Sequence, residues 1–198
     1  MERIETLEQL AELYGAPMER AVTKVQSALT PLYHRWIEDC RFCVLTTVGP
    51  EGTDASPRGD VDPVVRIVDD RTLHLPDWRG NNRTDSLRNI VRDGRVSLMF
   101  MAGGCNNVVR VNGRAVLVVD ESVRASFEQR GHHPRSVIVI SIEEVYFQCA
   151  KALMRSALWS HVPEGLPTAG DFQKEVDAAF DAREYDDTYD EYAAPRMW

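Results

Sequence analysis

Between residues 42 and 147 the apolar residues arrive in short runs, and turn-forming residues break each run before it can become a long helix. Residues 42–48 are a run of the buried type. Gly49-Pro50-Glu51-Gly52 follows as a turn, and 53–57 is an extended return that makes a hairpin. Further extended runs cover 64–68, 72–75 and 96–101. A second, hairpin-like block spans 107–119, apolar at Val109, Val111, Ala115, Leu117 and Val119, and Asn112-Gly113 inside it is a turn or a bulge. Residues 136–147 form the last strand. Helical spacing intervenes at 82–92 and, more briefly, at 121–130. No βαβ rhythm is present and no G-x-G-x-x-G follows the first strand, so a doubly wound sheet is set aside. The pattern predicts a mainly β, α+β chain built as an antiparallel barrel.

The flanks read differently. Apolar spacing predicts helices at 4–14 and 18–29 and from Thr30-Pro31, where proline opens the third. After 151–158 the chain passes Pro163, Gly165, Pro167 and Gly170 into one acidic helix expected over 171–192. Three parts follow: a helical extension (1–40), the barrel (41–156), and a loop with an acidic helical tail (157–198). That tail carries much of the excess of 31 acidic over 23 basic residues, a formal net charge of −8, which argues against a general nucleic-acid binder. No apolar run reaches the roughly 20 residues of a membrane helix and no signal core opens the chain, so the expected location is cytoplasmic, without membrane contact. Cys40-Arg41-Phe42-Cys43 has the spacing of a redox pair or half a zinc site. No second C-x-x-C accompanies it, and structural cysteine is the better reading, with no metal site.

Asp77-Trp78-Arg79-Gly80-Asn81-Asn82-Arg83-Thr84-Asp85-Ser86 joins an apolar run to a helical pattern. A Gly- and Asn-rich turn at a helix start points unpaired N–H groups outward, and the helix dipole reinforces them, so anions are attracted there. Arg79 and Arg83 add full charge, and Asn82 is placed to cap the helix with Asp85 three residues on. The competing reading is a capped helix with solvated arginines.

With strands on both sides of that turn, the chain resembles the pyridoxamine 5′-phosphate oxidase-like flavin proteins over about residues 42–156. Three pieces carry the resemblance: Ala55-Ser56-Pro57-Arg58-Gly59-Asp60 with Val65-Arg66-Ile67-Val68 after it; Gly80 to Leu87; and Val109-Arg110-Val111-Asn112-Gly113-Arg114-Ala115. Cys149-Ala150-Lys151-Ala152-Leu153-Met154-Arg155-Ser156 looks like a feature of one uncharacterised FMN-binding branch. The resemblance implies a split β-barrel, FMN as cofactor, and a homodimer holding FMN at the subunit interface. It implies an FMN-dependent oxidoreductase acting on an unknown small molecule; the residues themselves show no obvious general acid or base. The alternatives are a flavin-binding or carrier module, or a barrel that binds haem, through His132-His133, or a deazaflavin. It assigns Arg66 to the flavin or its phosphate, and Asn81, Asn82, Arg83 and Ser86 with Arg79 to the phosphate clamp. Arg58 faces the flavin edge or a substrate acid, against a reading as an Arg58–Asp60 surface pair. Asn107 is a contact from the second subunit. Lys151 and Arg155, four apart on one helical face, reach an anionic group or else form a solvated helix end. Trp78 and Trp159 stack on the ring or fill a core. The substrate-binding C-terminal segment of true pyridoxamine phosphate oxidases is absent.

Overall fold

A computed structural model describes residues 1–198. The elements run α1 (Leu7–Tyr14), α2 (Glu19–Thr23), α3 (Pro31–Glu38), β1 (Phe42–Gly49), β2 (Gly52–Gly59), β3 (Arg66–Asp69), β4 (Thr72–Asp77), α4 (Asp85–Arg92), β5 (Arg95–Met101), β6 (Val108–Val118), α5 (Glu121–Arg124), β7 (Ser136–Gln148), α6 (Lys151–Ser156), α7 (Ala169–Val176) and α8 (Ala182–Ala193). The seven strands form one sheet in the order β2-β1-β5-β6-β7-β4-β3, with every pairing antiparallel. The sheet curls without closing, so the architecture is α+β and split-barrel-like.

Alternation and register together build the interior. Leu45 lies opposite Leu98, Leu98 opposite Val111, and Val111 opposite Val145. A second row runs Ala115, Ile140, Leu73. All seven are buried, and α3 caps the core with the fully buried Ile37. Side chains that alternate across a pleat reach one face only if no residue slips.

β7 slips once, and usefully. Asn112 pairs with Glu144 but Gly113 pairs with Ile142, leaving Glu143 as the extra residue of a bulge. Two exposed glutamates in succession thereby let both Ile142 and Val145 face inward. The 107–119 block is accordingly one continuous strand, and Asn112-Gly113 lies opposite a bulge rather than forming a turn. Glycine is needed there because a Cβ at 113 would strike the Ser141 carbonyl.

Other boundaries differ from the sequence expectation for identifiable reasons. The 18–29 helix stops at Thr23 because the Gln26 backbone exchanges hydrogen bonds with Val145, at 2.9 and 2.8 Å. The acidic tail is two helices, broken where Asp177 turns extended and restarted where the Asp181 side chain accepts from Glu184 N–H. They pack closely, with Gly170 against the Ala182 carbonyl. No helix is long and apolar enough to cross a membrane.

Replacing Gly113 with Ala forces the β6–β7 ladder apart at the bulge. Urea unfolding is expected to show a loss of roughly 2–3 kcal/mol.

Candidate functional site

The split in the barrel is bridged by side chains. β2 is one edge of the sheet and β4 lies next to the other, and no backbone ladder joins them. Arg58 Nη1 on β2 donates to Asp77 Oδ1 at the end of β4 at 2.7 Å, and Trp78 Nε1 donates to Asp60 Oδ2 at 2.6 Å. Both members of the ion pair are largely shielded, with side-chain exposures of 19% and 16%. Arg58 thus pairs across the seam with Asp77 rather than along the surface with Asp60. Trp78 is held by its ring nitrogen.

Above this seam lies a cleft of about 530 Å³, walled by β2, the end of β4, the turn after it and the first turn of α4. Such a volume falls within the roughly 300–1,000 Å³ of small-molecule sites, and only six of its 24 lining residues are hydrophobic, which suits a charged ligand. Arg58, Arg79, Asn81, Asn82, Arg83 and Ser86 all line it.

Their hydrogen bonds divide them. Asn81 Oδ1 accepts from Arg83 N–H at 3.0 Å, which tightens the turn. Asn82 is left-handed (φ 61°), a conformation asparagine tolerates. It does not cap the helix: α4 begins at Asp85, Thr84 holds the capping position, and no side chain caps it. The N–H groups of the first turn are therefore left open. Arg83 is tied to Asp85 at 2.6 Å, and the buried Ser86 hydroxyl donates to Asp54. Arg79 has no acidic partner.

One cation on this wall escaped the sequence reading. Arg135 immediately precedes β7, lines the same cleft, and donates from Nη1 to Asn82 Oδ1 at 2.9 Å. It too lacks an acidic partner. The pairing of Ser136 with Asp77 brings it there, and nothing local at 135 signals that register.

Four expected residues stand elsewhere. Arg66 lies on β3, donates to the hydroxyl and carbonyl of Ser126 at 2.6 and 2.7 Å, and stacks on Phe127 at 4.0 Å. Asn107 precedes β6, and Lys151 and Arg155 lie on α6, beyond the far end of the thirteen-residue β7 from Arg135. All three are exposed, and neither cation has an acidic partner. Trp159 belongs to that end as well, donating to the Cys105 carbonyl at 2.9 Å. His133 Nδ1 lies 2.6 Å from the Phe127 carbonyl, to which its N–H donates, and neither histidine lines the cleft.

Cys40 and Cys43 are fully buried free thiols. Burial pushes their pKa values up to about 11 and about 12, so neither supplies thiolate at neutral pH.

The family profile for pyridoxamine 5′-phosphate oxidase matches residues 29–149, well over half of the chain, and the chain belongs to that family. No curated protein sequence matches it. Among solved structures it is similar to a variant of HupZ from Group A Streptococcus, at a TM-score of 0.50 and 18% identity over 60% of this chain and 98% of that one. General Stress Protein 26 from Bacillus anthracis aligns at a TM-score of 0.46 and 17% identity, over 58% and 88% of the two chains. An F420 reductase aligns at 0.44 and 15%, over 61% and 98%.

Asp77→Ala leaves the Arg58 charge alone in a shielded seam and is expected to destabilise by roughly 1–3 kcal/mol in urea unfolding. The pair Arg58→Met with Asp77→Leu, which strands no charge, recovers most of that loss. In maleimide labelling at pH 8, Cys149 reacts in the folded protein, whereas Cys40 and Cys43 react only after unfolding.

Proposed function

We propose that this member of the pyridoxamine 5′-phosphate oxidase family binds FMN in the cleft over the β2–β4 seam and works as an FMN-dependent oxidoreductase on a small molecule. The observation that carries the reading is the meeting of Arg79 and Arg135, both without acidic partners, beside the uncapped first turn of α4. Two guanidiniums without acidic partners and open N–H groups suit a phosphate dianion, which can accept from all of them at once.

The other end of the cleft fits a flat, acceptor-bearing ring. Arg58 Nε is buried and has no hydrogen-bond partner, although Nη1 of the same guanidinium is tied to Asp77. An orphaned buried donor favours a ligand that presents an oxygen or nitrogen to it. Trp78, fixed through Asp60, contributes a rigid aromatic wall. FMN, when bound, supplies the capacity to accept or donate hydride. The chain's own groups hold the phosphate, orient the ring and limit water around it.

Asn107, Lys151 and Arg155 stand too far along the sheet to join the same cleft within one chain. In this proposal a second copy supplies them, so that FMN lies between the subunits of a homodimer. Lys151 and Arg155, exposed and without acids of their own, are suited to that role.

Titration with FMN followed by visible absorbance and flavin fluorescence tests the reading. Binding perturbs both, and a spectrum equal to that of free FMN overturns it. Arg79→Gln and Arg135→Gln are each expected to weaken FMN roughly ten- to a hundredfold, while riboflavin, lacking the phosphate, binds weakly and is indifferent to either change. Rapid reduction of the bound flavin by NADH or NADPH separates an oxidoreductase from a carrier.

A further inference from the structure

Residues 29–149 account for the family match, yet the cleft is also lined by Met197, from beyond the helical hairpin of α7 and α8. The chain after α8 returns to the body through a clamp at Arg130. The Arg130 guanidinium stacks on the Trp198 ring at 4.5 Å and donates from Nη1 to the Ala194 carbonyl at 3.5 Å. Arg196 locks the intervening turn from within, stacking on Tyr192 at 4.1 Å and donating to the Tyr192 carbonyl at 2.6 Å.

The backbone beneath the clamp makes arginine an unfavourable choice. Gln129 and His132 exchange both backbone hydrogen bonds, at 3.0 and 2.9 Å, across a two-residue turn. Its central residues, Arg130 and Gly131, both have positive φ, 53° and 79°. Turns of that shape favour Asn or Gly at the first central position, since a larger residue is strained there. Arginine occupies it nonetheless, and its side chain makes the two contacts that hold residues 194–198. Strain at a surface turn together with a specific use of the side chain is the pattern expected of a functional clamp.

We propose that residues 194–198 form a strap held by Arg130, and that Met197 within it narrows the mouth of the cleft, admitting slim or planar ligands over bulky ones. The proposal rests on reading the cleft as a ligand site and deepens it by assigning what selects at its entrance. Met197 is a specificity-determining wall. Arg130 and Trp198 act through it as positioning residues.

The test uses no flavin, so that its failure and the failure of FMN binding are separate results. In the 198-residue chain a cysteine is placed on the cleft wall by Ser56→Cys. Its reaction rate with a small alkylthiosulfonate is compared with that of a bulky aromatic disulfide, following the residue-56 peptide by mass spectrometry. Arg130→Asn suits the turn and removes only the clamp. It is expected to raise the bulky-to-small rate ratio roughly fivefold or more, as losing a cation–π contact and a hydrogen bond predicts. Met197→Ala raises the same ratio with the clamp intact, and Trp198→Ala matches Arg130→Asn. A ratio unmoved by all three substitutions overturns the proposal. So does a parent protein in which the two reagents react equally fast.

Discussion

The Arg58–Asp77 pair, seconded by Trp78 on Asp60, is the contact on which the rest of this structure depends. A seven-stranded antiparallel sheet that curls without closing leaves two margins, and unpaired margins attract other strands. Here the β2 margin is drawn to the end of β4, beyond its pairing with β3, by side chains instead of by a ladder. The consequence is a seam that is polar inside a mostly apolar barrel, and a seam of that kind can hold a charged ligand. Replaced by a backbone ladder, it would have closed the barrel and removed the cleft. A charge pair in this position costs desolvation, which the 2.7 Å contact offsets only in part. Its role is as much to set the shape of the cleft as to add stability.

Electrostatics within the cleft follow from which arginines the fold neutralises. Arg58 and Arg83 are matched by Asp77 and Asp85. Arg79 and Arg135 are not, and they flank the helix start whose N–H groups remain open. Arg135 lies far along the chain from the opening turn, so counting basic residues there misses it, while Arg83 in the turn carries an acidic partner. Hydrogen bonding within the turn also gives its two asparagines different partners. Asn81 accepts from Arg83 N–H, Asn82 accepts from Arg135, and the helix goes uncapped.

The alternation in β1, β5, β6 and β7 was legible because burial on one face of a pleat imposes a period of two on the residues themselves. The Gly/Asn-rich turn was legible too, since its chemistry is local. Six of the ten expected site residues lie together because most of them are near neighbours in sequence or joined by one strand crossing. Within one chain Arg66 lies apart from them because its neighbour across space is Ser126, and Asn107, Lys151 and Arg155 do so because β7 carries the chain away from the cleft. The 18–29 helix and the single acidic helix failed for a similar reason. A ladder bond to Val145 ended the one, and aspartates that hydrogen-bond their own backbone split the other.

By itself, then, the sequence determined the α+β class, the strand pattern of the barrel, the family and the Gly- and Asn-rich turn before α4, since each is written in short-range periodicity or in a contiguous motif. The tertiary structure alone decided that Arg135 and Met197 join that turn, that Arg58 meets Asp77, and that Arg66 does not reach the cleft. Those pairings span from nineteen to more than a hundred residues, and only strand register and the return of the chain beyond α8 bring them within reach.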